Sequence, residues 1–265
     1  MDSVCYVYGV VPSTFVAASD PKGLDGLTVN RVTEGDLTAL VSSLSPGEYS
    51  PERLEANTAL VEWLGPRAVA HDRVVTWAGD ASPVIPFPMW TLFMSEEGIR
   101  KMLRERAAEF RETLTSVSGT HEYAVRIFAS PVQVQEQIAR LRPAIADLEA
   151  AAAKATPGQR YLLQKKIAEQ REGEVRAFLR ETAQDCYDQL ERASVKAVRH
   201  QLPTETPAGK GRAILYAAFL VGDPALDEFR RVLTSLVTQH RDSGLDFDFT
   251  GPWPPYNFVG TRSGG

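Results

Sequence analysis

The chain has 265 residues, about twice the commonest size of a single domain, so its length favours two domains or one large one. Hydrophobic residues make up 43% and charged residues 24%, which is typical of a globular protein and excludes disorder as the overall class. The 29 basic and 34 acidic residues give a net charge of −5, which argues against a general nucleic-acid binder.

The first part of the chain is predicted to be of α+β type. Residues 4–11 are rich in β-branched and aromatic residues, which predicts a buried strand. Two short strands are predicted at 27–32 and 37–41. Ser50-Pro51 is typical of a capped helix start. Gly65-Pro66 should kink or divide that helix, because proline lacks the donor and clashes with the preceding turn.

Prolines and then a helical period mark the end of this part. Prolines interrupt residues 84–93, so any strand there lies at a sheet edge or is shortened to 90–94. Over residues 95–117, apolar side chains recur at steps of three and four, which predicts a helix. We therefore expect a first domain at 1–118.

The remaining residues predict a second α+β domain at 119–265. Its predicted elements are a strand at 123–128, helices at 132–155 (broken at Pro143) and 159–191, a strand at 212–221, a helix at 224–240 capped by Asp223, and a strand at 245–249. Residues 194–200 are either a strand or the last helical turns. If they form a strand, the order is βαββαβ, the ferredoxin-like arrangement with a long helical insertion.

No group of residues predicts catalysis, a cofactor site or a metal site. His71 and Asp72 are adjacent and point different ways on a helix, so we expect an ordinary, partly exposed histidine. The segment 208–211 resembles a phosphate loop, but Lys210 lacks the following Ser or Thr and precedes a strand. Cys5 and Cys186 are expected to be inert core residues. We therefore expect no enzyme.

The same sequence favours a reducing, cytoplasmic setting. Two cysteines cannot form a disulfide framework. The longest apolar run, residues 213–221, is nine residues long, whereas a membrane span needs roughly twenty. Met1-Asp2-Ser3 lacks the features of a secretory signal. We expect neither a membrane nor a nucleic-acid partner.

The last segment is unusual because three prolines alternate with Trp253, Tyr256 and Phe258. Stiff apolar segments lose little entropy on docking. The tail either covers its own domain or leaves aromatic side chains exposed to hold a partner, and its composition favours neither reading decisively.

Several segments together resemble the gas vesicle GvpF/GvpL proteins. The opening strand, Tyr6 to Val11, looks like the family's start. Tyr161-Leu162-Leu163 is similar to the start of its long helix. The most specific likeness is the ending, which reads TGPWPPYNFV from Thr250. The middle signature comprises Ala70-His71-Asp72-Arg73-Val74-Val75, Pro83-Val84-Ile85-Pro86 and Thr91-Leu92-Phe93.

The chain departs from the family's pattern at one step. The family commonly has a basic-aromatic-glycine step after its second proline, where this chain reads Phe87-Pro88-Met89-Trp90. Any role tied to that step is therefore in question for this chain.

The resemblance implies a non-enzymatic accessory protein of gas vesicle formation with two α+β domains. It implies the small hydrophobic shell protein GvpA as a partner, with other accessory gas vesicle proteins as further partners, and a location at the gas vesicle in the cytoplasm. A soluble partner that covers an aggregation-prone shell subunit, or pairs with its strand edge, would keep that subunit competent for assembly.

Two segments are the candidate contact elements: the proline-marked edge and the aromatic tail. Their candidate partner-binding residues are Val84, Ile85, Phe87, Trp90, Phe93, Trp253, Tyr256 and Phe258. Two other hypotheses stay open. One is an enzyme or small-ligand protein that uses a cleft between the two domains, with His71 and Arg73. The other is a self-assembling structural protein whose sheets pair edge to edge.

Overall fold

A computed structural model of the chain describes residues 4–260, so Met1-Asp2-Ser3 lies outside the described residues. The chain contacts divide into two compact units. The first unit extends to Glu122 and also contains the segment from Pro252 onward, and the second is Tyr123–Gly251. The expected boundary between independently folding domains, after residue 118, stays a prediction. The predicted α+β class is confirmed by the two sheets and eight helices of residues 4–260.

The first unit is built on an antiparallel sheet with β1 at its centre. The sheet order is β2-β3-β1-β4, and β5 also pairs with β1. Its strands are β1 (Val4–Pro12), β2 (Asn30–Glu34), β3 (Leu37–Leu44), β4 (Ile85–Pro86) and β5 (Leu92–Phe93). The predicted buried strand and the strand pair are confirmed. The proline-marked segment does lie at a sheet edge, as two strands of two residues each.

Four helices accompany this sheet: α1 (Pro51–Asn57), α2 (Val61–Ala81), α3 (Glu96–Glu105) and α4 (Ala107–Ser116). The predicted cap is present, since the Ser50 hydroxyl accepts from the Arg53 amide. The predicted division of the helix at Gly65-Pro66 is wrong: α2 continues through Pro66, and the chain divides earlier, between Asn57 and Val61. Pro66 lies in the second turn of α2, where its missing N–H removes one bond close to the helix start.

The predicted single helix at 95–117 is also divided. Arg106 adopts φ −104° and ψ 14°, and it separates α3 from α4. Its guanidinium lies 4.6 Å from the centre of the Phe110 ring and donates to Glu109. The periodicity continues across the break, which is why the sequence pattern does not detect it.

The core of the first unit is aromatic and partly polar. Tyr6 and Tyr8 on β1 have no exposed surface, and they pack against the apolar face of α2. That core also includes Val11, Phe15, Leu24, Leu40, Leu44, Tyr49, Val74, Val75, Ala78 and Val84. Gly9 permits β4 to approach β1, because a Cβ there would lie 2.6 Å from the Ile85 carbonyl oxygen.

The second unit is built on a four-stranded sheet with the order β7-β8-β6-β9, of which only the first three residues of β6 and the last two of β9 belong to the first unit. Its strands are β6 (Thr120–Ala129), β7 (Lys196–Arg199), β8 (Arg212–Gly222) and β9 (Leu245–Trp253). Residues 196–199 pair antiparallel with β8, so the strand reading of 194–200 is the correct one. β8 lies between two strands, as its apolar character on both faces predicts.

Helices α5 (Pro131–Leu141), α6 (Pro143–Lys154), α7 (Pro157–Arg192) and α8 (Leu226–Gln239) complete this unit. The predicted break at Pro143 is confirmed. The predicted capping role of Asp223 is wrong: a short 3₁₀ turn, Asp223–Ala225, comes first, and the residue at the N-cap of α8 is Ala225.

The core of the second unit is almost entirely apolar. It is formed by one face of the sheet, by α7 and by α8, with Phe219, Phe229 and Cys186 fully buried. A smaller cluster between α5, α6 and α7 contains Val134, Ile138, Ile145 and Phe178. Cys5 and Cys186 are both buried, as predicted, and burial raises the pKa of each thiol.

Candidate partner-binding surface

The proline-marked segment runs along β1 and contributes mainly to the core. The Phe87 amide donates to the Tyr8 carbonyl, and the Val7 amide donates to the Thr91 carbonyl, both at 2.9 Å. Val84, Ile85 and Phe87 are at most 4% exposed. These three candidate residues therefore have almost no surface to offer a partner.

The edge formed by β4 and β5 is short and accompanied by helices. α4 packs against β4, and α3 packs against β5. Phe93 is half-buried, whereas Met94, which directly follows it, is 76% exposed. The exposed apolar surface at this end of the segment therefore comes largely from Met94, which the sequence pattern does not single out.

Trp90 is half-buried and belongs to an aromatic cluster. Its ring stacks on Trp63 of α2 with centroids 5.2 Å apart, and it contacts Tyr6 edge-on at 6.0 Å. Tyr49 lies 6.2 Å from the same ring. Such pairs contribute about 0.5–1.5 kcal/mol each beyond the area they bury. Trp90 is thus held in place by its own chain.

Arg67 closes the outer side of this cluster. Its guanidinium lies 4.1 Å from the centre of the Trp63 ring and forms an ion pair of 3.0 Å with Asp25. Its Nε donates to the Tyr49 hydroxyl, which also donates to Asp25. Burial, and then the bond to Asp25, raise the pKa of Tyr49 to about 12. The positive charge of Arg67 is therefore already paired with groups of its own chain.

His71 is buried in the same core, so the expectation of a partly exposed histidine is wrong. It is 3% exposed, and its Nδ1 shares a hydrogen bond of 2.7 Å with the Tyr6 hydroxyl. Burial lowers the pKa of His71 to about 4, with a smaller opposite effect of the Phe87 main chain. The periodicity of α2 could have indicated this, since His71 falls on the face of Ala70, Val74 and Ala78.

The tail places two aromatic side chains at the surface of the first unit. Trp253 is 42% exposed and Tyr256 37% exposed, whereas Phe258 is half-buried. Pro254 and Pro255, between the two exposed rings, are buried. The tail thus both covers the first unit and exposes part of its aromatic surface.

A buried carboxylate anchors this tail. Glu122 is 4% exposed, and its two oxygens accept from the Asn257 amide at 2.9 Å and from Asn257 Nδ2 at 2.6 Å. Burial nevertheless raises the pKa of Glu122, and it also raises the pKa of Asp72. Burial, then the charges of Asp72 and Glu122, raise the pKa of the Tyr256 hydroxyl.

The phosphate-loop likeness at Lys210 has a structural explanation. Lys210 Nζ forms ion pairs with Asp246 and Asp248 of β9, the latter at 2.8 Å. It also lies 5.5 Å from the centre of the Phe128 ring. The ammonium group therefore ties the loop to the sheet.

An open groove of about 600 Å³ lies between α5, α6 and α7. Its charged groups are paired internally, because Arg171 binds Glu149 and Arg160 donates to the last carbonyls of α6. Within residues 4–260, no group of three or more His, Cys, Asp or Glu side chains could hold a metal ion. The exposed aromatic surface of the tail is the strongest candidate site.

The family described as gas vesicle synthesis protein GvpL/GvpF matches residues 4–260. The chain belongs to this family. It is 26% identical over 264 residues to gas vesicle protein L of a Streptomyces species, covering 98% of this chain and 94% of that protein. It is 29% identical over 264 residues to gas vesicle protein L1 of Halobacterium salinarum, covering 96% and 89%.

Solved GvpF structures share the fold. The crystal structure of GvpF from an Anabaena species matches with a TM-score of 0.68 and 19% identity, covering 97% of this chain and 96% of that one. GvpF from Microcystis aeruginosa matches with a TM-score of 0.67 and 16% identity, covering 98% and 99%. The recognised family resemblance is thus confirmed along nearly the whole chain.

As a GvpL/GvpF protein, the chain takes part in forming gas vesicles, the structures that give cells buoyancy. The family is one of gas vesicle structural and assembly proteins, and membership implies association with gas vesicles. Among the helices of residues 4–260, none combines the length and hydropathy needed to cross a bilayer.

The departure from the GvpL/GvpF pattern now has a structural description. Trp90 adopts φ 68°, in the left-handed region that favours glycine. A side chain there costs on the order of 1 kcal/mol. The stack of Trp90 on Trp63 has a similar magnitude and opposite sign, so it offsets the cost of this backbone conformation.

The sequence did not indicate the roles of four residues that shape this surface. Trp63 and Arg67 lie on α2, where nothing in the pattern pairs them with Trp90. Glu122 and Asn257 are 135 residues apart, and their contact depends on the tail's return to the first unit. A buried acid at the start of β6 is the one local signal, because carboxylates are seldom buried without a partner.

Proposed function

We propose that this GvpL/GvpF protein is a non-enzymatic accessory protein that binds the small hydrophobic shell protein GvpA. In this role it is a minor component or a chaperone-like nucleation factor, and it acts at the gas vesicle in the cytoplasm. Other accessory gas vesicle proteins are further proposed partners. Family membership supports the setting, and the exposed part of the tail supports the binding role.

The observation that carries the proposal is the exposure of Trp253 and Tyr256 on an anchored, proline-rich segment. Aromatic side chains dominate binding energy at protein interfaces, commonly at more than 1 kcal/mol each. Because Pro254, Pro255 and the Glu122–Asn257 bonds already fix the segment, little further entropy is lost when a partner binds.

This surface supports a partner of apolar chemistry. A shell subunit with a strongly apolar face aggregates unless that face is covered before it joins the wall. A rigid aromatic surface contacts apolar side chains with little need for matched charges. The remaining candidate residues are half-buried and offer less surface to a partner. They are Trp90, Phe93 and Phe258.

The second unit is proposed to be a ferredoxin-like domain with α5 and α6 as its helical insertion. The strand order β7-β8-β6-β9 supports this proposal, because the sheet of that fold places its first and third strands in the middle. The division at residues 1–118 and 119–265 is kept as a proposal about which segments fold alone.

A co-expression experiment tests the binding role. The tagged chain is produced together with GvpA, and the co-purified shell protein is quantified. Replacement of Trp253 and Tyr256 by alanine in one variant should reduce capture by about tenfold or more, since each ring contributes on the order of 1 kcal/mol. The variant keeps Glu122 and Asn257, so the tail remains anchored.

The matched control replaces Tyr161 and Leu162 of α7, which are 68% and 66% exposed, by alanine. This control removes a similar exposed apolar area from the second unit, and capture should stay unchanged. Equal capture by the tail variant and the wild type, with identical circular dichroism and unfolding midpoint, would remove the tail from the mechanism. Equal loss in both variants would indicate nonspecific adhesion to the shell protein.

A further inference from the structure

The edges of the two sheets differ in length and in protection. A sheet edge presents unpaired amides and carbonyls, and proteins usually shorten, charge or cover such edges. In the first unit, β4 and β5 have two residues each, and α3 packs against β2, where Arg100 donates to the Thr33 carbonyl. In the second unit, β7 has four residues and carries the exposed cations Lys196 and Arg199. The other outer strand of that sheet, β9, has nine residues.

The main-chain groups of β9 alternate between its neighbour β6 and the outside of the sheet. The Ser130 amide, at the end of β6, donates to the Gly244 carbonyl, just before β9 begins, so the two strands run antiparallel. In such a pair every second residue directs its amide and carbonyl at the neighbour. Counting from Gly244, the even-numbered residues face β6, and Leu245, Phe247 and Phe249 face outward. No side chain or loop within residues 4–260 bonds to the main chain of these three residues, which form the free edge of β9.

The side chains on the two faces of β9 have opposite character. Those of the free edge are half-buried against the core of the second unit, so apolar side chains on an added strand would extend that core. On the other face, Asp246 and Asp248 share one cation, Lys210, and this group keeps a net negative charge. The edge therefore fits a strand in which apolar and basic residues alternate. A second copy of β9 fits poorly, because its aspartates would lie opposite these.

We propose, resting on the proposed function for the identity of the partner, that the free edge of β9 binds an extended segment of the shell protein as an added strand. Main-chain hydrogen bonds supply the affinity, and the alternation of apolar and basic side chains supplies the specificity. β9 ends at Trp253, which is 42% exposed, so the added strand lies beside the aromatic surface of the tail. The strand edge and the tail rings thus form one continuous binding surface.

Amide hydrogen exchange measured by NMR on the full chain tests this mode of binding. The probes are overlapping peptides of about ten residues that span the shell protein, since strands are of about this length. One peptide should slow the exchange of the Leu245, Phe247 and Phe249 amides by about tenfold or more, because they gain partners. The amides of Asp246 and Asp248, already directed at β6, should change little. N-methylation of those peptide residues that face β9 should abolish binding, whereas N-methylation of the intervening residues should not.

A charge variant links the peptide experiment to the shell protein itself. Asp246→Lys makes the polar face of β9 positive and should weaken both peptide binding and capture of co-expressed shell protein by about fivefold. Asp242→Lys, the same reversal in the exposed turn before β9, is the matched control and should leave both unchanged.

The outcomes separate this mode of binding from the proposed function. Normal capture of the shell protein overturns the added strand, but not the binding role, if no peptide gives the alternating protection or if Asp246→Lys captures as the wild type does. Protection of the same amides by self-association, without peptide, would assign the edge to a second copy. A wild type that captures no shell protein overturns the proposed function and the added strand together.

Discussion

The two units of this protein have cores of different chemistry. In the first unit, buried Tyr6, Tyr8 and His71 are joined to polar partners. In the second, Phe219 and Phe229 pack among aliphatic side chains and the buried thiol of Cys186. An apolar core depends on volume and close packing, whereas a polar core also depends on every donor and acceptor finding its partner.

The polar core is built as a continuous chain of hydrogen bonds. The Leu24 amide donates to the Tyr8 hydroxyl, which donates to Ser42 Oγ, which donates to the Thr28 carbonyl, each at 2.9 Å. Gly23 makes room for this arrangement, because a Cβ there would lie 2.0 Å from the Tyr8 hydroxyl. Sensitivity to the loss of single polar atoms should therefore be concentrated in the first unit.

The largest expected effect is a packing loss in the second unit. Phe229→Ala removes a fully buried ring that contacts Tyr123, Phe219 and Phe249, so the free energy of unfolding should fall by about 4 kcal/mol at any pH. Urea unfolding at two pH values measures this loss. Phe229→Leu is the control and should retain most of the stability, because it conserves much of the buried volume.

Acid should destabilise the first unit through His71. Its folded pKa of about 4 lies below the usual 6.5, so its contribution to stability is present above pH 6.5 and is lost as the pH falls from there towards 4. The loss should reach about 3 kcal/mol. Urea unfolding at several pH values between 6.5 and 4 should show that the free energy of unfolding depends less on pH in His71→Gln than in the wild type. Parallel curves for the two proteins would contradict the assignment.

Loss of the tail anchor should have an intermediate effect. Asn257→Ala removes the Nδ2 donor to the buried Glu122 carboxylate and should lower the free energy of unfolding by about 2 kcal/mol. The same change in a Glu122→Gln background should cost less, since the charge it served is gone. Additive losses in this double-mutant cycle would show that the two side chains are not coupled.

The smallest expected effect comes from one oxygen atom. Tyr8→Phe keeps the buried ring but leaves the Leu24 amide without its acceptor, so we expect a loss of about 1 kcal/mol. The corresponding change at an exposed site, Tyr161→Phe, should have no measurable effect in the same urea titration. Equal results for both variants would mean that the hydrogen-bonded chain does not stabilise this core.

The sequence predicted correctly those features of helices and strands that depend on residues adjacent in the chain. Ser50-Pro51, Pro143 and the β-branched run of β1 each act through neighbouring residues, and each prediction agrees with the structure. The prediction of a division at Pro66 was wrong because the free-energy cost of a proline depends on its distance from the helix start. Residue propensity alone does not give that distance. The prediction that Asp223 caps α8 was wrong because a 3₁₀ turn precedes this helix and places its N-cap two residues later.

The candidate surface was predictable only in part. The aromatic tail was singled out by its composition, and Trp253 and Tyr256 do have exposed area. Burial of Val84, Ile85 and Phe87 depends on β1, nearly eighty residues earlier in the sequence, and on the helices packed beside them. Apolar residues at a strand edge look the same in a sequence whether a partner or the protein itself covers them.

The anchoring of Asn257 on Glu122 has a consequence for biosynthesis. The second unit, Tyr123–Gly251, lies between the two parts of the first unit along the chain. At 5–20 residues per second, a ribosome needs on the order of ten seconds to travel from one part to the other. Glu122 is therefore synthesised before the whole of the second unit, and its partner Asn257 leaves the exit tunnel only after that unit has been made.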